Sequence, residues 1–138
     1  MKRVLISWIG GNDLKAIESD SLGPLATTLK AESFDQLMLL YNYPKGHVKP
    51  YLTWLEQQTN IPTEAQFVKL SSPTDFGDIY QAANQHLALL SKDDRNQLNI
   101  LLSPGTPAMQ AVWILLGKTR YPVSFYQSSV EKAGQRRR

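Results

Sequence analysis

Along this chain, apolar residues gather in short unbroken runs and, between those runs, recur every three or four positions. Val4-Leu5-Ile6-Ser7-Trp8-Ile9 is the first run, β-branched and aromatic, and Gly10-Gly11 closes it. A run with no polar face reads as a strand buried on both sides of a sheet. Gln36–Tyr41 (QLMLLY), Gln66–Leu70 (QFVKL) and Leu98–Leu102 (LNILL) repeat it, and Val123–Gln127 (VSFYQ) alternates enough for an edge strand. The intervening stretches predict helices. Leu22–Ala31 carries Pro24, which suits a first helical turn. Val48, Tyr51, Leu52 and Leu55 share one face, as do Phe76, Ile79, Tyr80, Ala83, Leu87 and Leu90. Asp75 is placed to cap that longer stripe or to sit in its first turn, where a carboxylate meets the positive end of the dipole. Pro107–Arg120 begins with proline, ends in basic residues and aligns Met109, Val112, Trp113 and Leu116. Trp54 and Trp113 are expected in the core. Strands alternating with helices predict an α/β fold, a Rossmann-like three-layer sandwich with a mainly parallel sheet of about five strands, because right-handed crossovers join parallel neighbours. The longest loop-like stretch is Gly10 to Ser21, polar and directly after the first strand.

Composition narrows the class. The chain has 138 residues, 42% of them hydrophobic and 20% charged, which is enough for one domain with a real core. No stretch approaches the roughly 20 apolar residues of a membrane span. The basic and apolar start, MKRVLISWIGG, is too short and lacks a small-residue cleavage pattern, so it predicts a strand and not a secretion signal. The absence of cysteine excludes disulfides and thiolate metal sites, and makes the cytoplasm the expected location. The net charge of +3 is matched by Arg136, Arg137 and Arg138 at the end of the chain. The domain proper is therefore expected to span 1–128, followed by a basic tail or the start of a linker at 129–138. His47 and His86 stand apart from any carboxylate cluster, so no metal and no cofactor is expected.

In open α/β sheets ligands bind beyond the carboxyl ends of the strands. Four loops there have chemical content. In Trp8-Ile9-Gly10-Gly11-Asn12-Asp13, paired glycines allow close backbone approach and expose amides, although a flexible turn explains them equally and no GxGxxG fingerprint is present. Tyr41-Asn42-Tyr43-Pro44-Lys45-Gly46 offers aromatic faces, an amide and a cation to a base; a Pro-Gly turn with a solvated lysine is the plainer reading. In Ser71-Ser72-Pro73-Thr74-Asp75-Phe76, Asp75 reads as helix capping, while Ser71 and Ser72 stay open. Ser103-Pro104-Gly105-Thr106-Pro107 places hydroxyls and amides at a helix start, where the dipole attracts an anion, and this is preferred to an ordinary strand-to-helix turn.

Taken together, these segments resemble the CARF family, the CRISPR-associated Rossmann-fold sensor domains. The resemblance rests on the first strand with Gly10-Gly11-Asn12-Asp13, on Gly23-Pro24-Leu25, on Phe34-Asp35-Gln36-Leu37-Met38-Leu39-Leu40, and on Leu102-Ser103-Pro104-Gly105-Thr106-Pro107-Ala108-Met109. Ser72–Tyr80 (SPTDFGDIY), Ala111–Leu116 (AVWILL), Arg120-Tyr121-Pro122 and Tyr126-Gln127-Ser128-Ser129 look most similar to the amino-terminal sensor of RNA-repair-type, sigma-54-dependent transcriptional activators.

The resemblance implies a homodimer whose strand-end loops share one symmetric ligand, a cyclic oligoadenylate or a related RNA end. Carried over by position, Gly10, Gly11, Asn12 and Asp13 would line its phosphates and riboses. Ser103, Gly105 and Thr106 would hold phosphate, and Tyr41, Asn42 and Tyr43 would meet a base. The chain departs from the full-length activators in having no Walker A loop and no helix-turn-helix, so DNA would be reached only through an output domain. The family's sixth strand has no clear counterpart. Two other readings stay open. One is a metal-independent ring nuclease, in which the ribose 2′-hydroxyl attacks its own phosphate and Ser103, Thr106 and Asn12 orient it, with Lys45 as a cation. The other is a module that only dimerises.

Overall fold

The computed structural model describes residues 1–128, and the tail expected at 129–138 lies outside them. The element order is β1 (Lys2–Trp8), α1 (Gly11–Ala16), α2 (Gly23–Ala31), β2 (Gln36–Tyr41), α3 (Lys45–Gln58), β3 (Thr63–Phe67), α4 (Phe76–Ser91), β4 (Asn96–Leu101), α5 (Pro107–Thr119) and β5 (Val123–Tyr126). The strands form one sheet in the order β3-β2-β1-β4-β5, and every neighbouring pair is parallel. The fold is a Rossmann-like α/β sandwich.

The central strands are apolar throughout because both their faces are covered. Val4, Ile6 and Trp8 of β1 and Met38 and Leu40 of β2 pack under α4 and α5, against Ile79, Leu87, Val112 and Trp113. The alternate positions, Leu5 of β1 and Leu37, Leu39 and Tyr41 of β2, pack under α2 and α3, against Leu25, Val48, Tyr51 and Leu55. Each fully buried side chain of this size contributes roughly 1.5–3 kcal/mol. At the outer end of the sheet, α5 presses on β5: a Cβ at Gly117 would lie 2.6 Å from Val123, so glycine permits the contact. Asp75 caps α4, its side chain accepting from the Asp78 amide at 2.9 Å.

Three expectations need correction. The stretch Gly10–Ser21 is not all loop, since α1 occupies its first half. Its apolar signal is weak, and what starts it is a polar device, the Asp13 carboxylate accepting from the Gly10 amide. β3 runs over Thr63–Phe67 and not 66–70. As an edge strand it is largely exposed, so its hydrophobic pattern points instead to Val68, which is buried just past the strand end. Trp113 is fully buried, whereas Trp54 is only partly so and packs its ring against Tyr51 at 5.7 Å. Among the described residues the sheet has five strands, and no helix is long and apolar enough to cross a membrane.

Candidate functional site

After β1 the chain builds outward through β2 to β3, then crosses back to place β4 on the other side of β1. The connections leaving β1 and β4 therefore diverge above neighbouring strand ends, and a crevice opens between them. A cavity of about 300 Å³ lies there. The loop after β1 lines it with Ile9, Gly10, Gly11 and Asn12, and the loop after β4 with Ser103, Pro104, Gly105 and Thr106. Asn42 and Tyr43, from the end of β2, complete it together with Pro73 and Met109.

The two principal loops touch through their backbones. A Cβ on Gly10 would lie 2.6 Å from the Gly105 nitrogen and 3.3 Å from the Pro104 Cα, so the approach requires glycine. Gly105 itself has φ +98, and a Cβ there would meet the Met109 sulfur at 2.6 Å. Among the described residues, the amides of Gly11, Asn12 and Gly105 have no intramolecular acceptor.

The hydroxyls of the β4 loop differ in what they have left to give. The Thr106 hydroxyl donates to the Pro73 carbonyl at 2.7 Å and accepts from the Met109 amide at 3.3 Å as the cap of α5. Both its roles are internal. The Ser103 hydroxyl oxygen accepts from the Ser128 amide at 2.5 Å, which leaves its proton for another partner. The loop is also braced by Gln110, whose side-chain amide donates to the Ser103 carbonyl at 3.3 Å.

Of the residues singled out from sequence, Gly10, Gly11, Asn12, Asn42, Tyr43, Ser103, Gly105 and Thr106 lie on this one cavity. Asp13 and Tyr41 do not. Asp13 is fully buried behind the β1 loop, where its two oxygens accept from the amides of Gly10 at 2.9 Å and Leu25 at 3.0 Å. It is a brace between the loop and α2, not a surface for ligand. Burial pushes its carboxyl up to about 6, against the pull of the Leu25 and Gly10 amides. Beside it the Tyr51 hydroxyl is buried without a partner, and burial, then the Asp13 charge, hold it protonated. Tyr41 is buried in the core, edge-on to Phe67 at 5.8 Å.

Pro73 and Met109 also line the cavity, although Pro73 sits in a segment with the pattern of helix capping and Met109 on an apolar helix stripe; only the spatial convergence of the loops reveals them. Among the described residues no carboxylate, imidazole, ammonium or guanidinium stands on the lining. His86, on α4, contacts the Ala82 carbonyl at 2.8 Å and Gln66 at 3.1 Å, away from this cavity. Among the described residues no group of three His, Asp or Glu side chains is placed to hold a metal. What the site offers is a set of free amides, a hydroxyl, the N-terminus of a 13-residue helix and one exposed aromatic ring, Tyr43.

No protein-family model matches the chain, and no curated protein does. Among solved structures it is similar to Enterococcus italicus Csm6 bound to cyclic hexa-2'-fluoro-hexa-dAMP, with a TM-score of 0.77 over 94% of this chain at 18% identity. The likeness is one of fold, and the chain spans 34% of that protein's length.

Proposed function

We propose that this chain is a CARF-type sensor domain that binds a cyclic oligoadenylate, or a related RNA end, in the cavity between the β1 and β4 loops. It would act in the cytoplasm, as part of a transcriptional regulator of the sigma-54-dependent, RNA-repair type. The observation that carries the reading is the direct backbone contact of Gly10 with Gly105, which brings two amide-rich loops to one cavity at the point where the strand order switches. Free amides and a helix N-terminus are suited to phosphate. The fold shared with a Csm6 solved with a cyclic hexanucleotide, and the sequence resemblance to CARF sensors, support the ligand class.

A cavity of about 300 Å³ is at the small end for a single ligand, and a ring of several nucleotides exceeds it. A homodimer whose two cavities face one ring resolves the mismatch. DNA contact, in this reading, belongs to an output domain. The groups that the described residues present on the lining, free amides, a hydroxyl and an aromatic ring, are suited to holding a ligand.

Calorimetric titration with cyclic tetra-adenylate, cyclic hexa-adenylate and an RNA ending in a cyclic phosphate tests the proposal. Saturable binding of a cyclic adenylate at one ring per two chains supports it. No heat with any of the three overturns it. Chromatography of the bound ring after hours of incubation addresses turnover: intact ring fits a sensor, and linear product marks a ring nuclease.

A further inference from the structure

The end of β2 carries a polar side chain whose orientation is dictated by its neighbour. Asn42 follows the last residue of β2, and Val68 follows the last residue of β3. The ladder between the strands closes with the Val68 amide donating to the Tyr41 carbonyl at 2.8 Å. One rung further, the Asn42 side-chain nitrogen donates to the Val68 carbonyl at 2.8 Å. A carbonyl only accepts, so the nitrogen end of the amide must face Val68 and the oxygen end must face away. Asn42 lines the cavity, and its Oδ1 meets no donor among the described residues. Asn42 is only half-buried and stands on the lining, so that oxygen is within reach of whatever enters. Next to it stands Tyr43, an exposed ring on the same lining, with a flat face for a base.

Resting on the nucleotide reading of the cavity, we infer that Asn42 is a specificity-determining residue whose amide oxygen selects a base edge bearing an exocyclic amine over one bearing a carbonyl. An amine donates to Oδ1. A carbonyl at the same position sets acceptor against acceptor, and the anchored amide cannot rotate to relieve it without abandoning Val68.

The test compares cyclic hexa-adenylate with cyclic hexa-inosinate, whose bases carry a carbonyl in place of the amine and a proton on the adjacent N1, by calorimetry on the unmodified chain. The inosinate ring is expected to bind at least about tenfold more weakly. Asn42→Leu is expected to bring the two rings to within about threefold of each other, and Asn42→Ser, which disturbs the end of β3 less, to do the same. Thermal melting of each variant shows whether it is folded, and the comparison on the unmodified chain stands without them. Equal or tighter binding of the inosinate ring overturns the inference and leaves the nucleotide reading in place. Discrimination that survives both folded variants removes Asn42 as its source. Silence of both adenylate rings, cyclic hexa- and tetra-, overturns this inference, and silence of the RNA end as well overturns the nucleotide reading with it.

Discussion

Gly10 and Gly105 meet backbone to backbone, so closely that one methyl group on Gly10 would lie 2.6 Å from the Gly105 nitrogen. The two residues follow the ends of adjacent parallel strands, 95 positions apart in sequence, and both line the cavity. Gly10→Ala is expected to cost about 1–3 kcal/mol through overpacking against backbone that has nowhere to go. It should also weaken cyclic hexa-adenylate binding at least about tenfold, because a misplacement of about 1 Å is felt strongly at such sites. Gly11→Ala is the contrast: its Cβ would meet only the Tyr43 hydroxyl, 3.2 Å away at the end of a movable side chain. Its stability should stay within about 0.5 kcal/mol of the parent. Urea denaturation and calorimetry check both.

Thr106 contributes as a brace. Its hydroxyl links the cap of α5 to the Pro73 carbonyl. Thr106→Ala is expected to lose about 1 kcal/mol of stability, with an accompanying loss of affinity from a loosened loop. Thr106→Ser keeps both hydrogen bonds and should restore stability and binding together. A Thr106→Ser protein that is stable yet fails to bind would contradict this assignment.

Asp13 makes stability depend on pH in a direction opposite to that of an ordinary paired carboxylate. Its pKa is about 6 in the folded chain against 3.8 for an unperturbed Asp. Between those values the folded state holds a proton that the unfolded state has released, so stability falls as pH rises from about 4 to about 6 and is level above. The contribution is on the order of 3 kcal/mol. Asp13→Asn should lack this fall, while losing one of its amide acceptors because its NH2 group cannot accept. Chemical denaturation across that pH range, comparing the two proteins, reads the difference directly.

Among the described residues the cavity lining carries no charged side chain, and a site built from these residues predicts weak salt dependence. Raising salt from about 50 to about 200 mM should change the affinity for cyclic hexa-adenylate by less than about threefold, whereas recognition through many lysines and arginines would lose orders of magnitude. A steep salt slope would point to cations outside the lining.

Much of the fold was legible because the two central strands are apolar on both faces and the helices between them keep a regular stripe. Gln36–Tyr41 is bounded as its composition predicts, and Asp75 caps α4. The edge strand β3 was displaced because exposure erases the hydrophobic signal that marks a strand. The short helix α1 was missed because a Gly-x-x-Asp box, not an apolar stripe, starts it. At the site, the Gly-Gly and Ser-Pro-Gly-Thr loops were visible as unusual backbone chemistry after strands. Asp13 and Tyr41 were grouped with them by proximity in sequence, yet both turn inward, and a list of residues carries no sign of which way a side chain at a strand end faces. That Asn12 and Thr106 line the same cavity follows from the strand order, which local pattern does not contain.

The most direct measurement is an amide NMR titration of the 138-residue chain with cyclic hexa-adenylate. The largest shifts are expected on Gly11, Asn12 and Gly105, whose amides are free at the cavity, with little change at the far rim around Asn96 and Arg120. Saturating ligand that leaves those three amides unmoved, or moves the far rim instead, would contradict binding at this cavity.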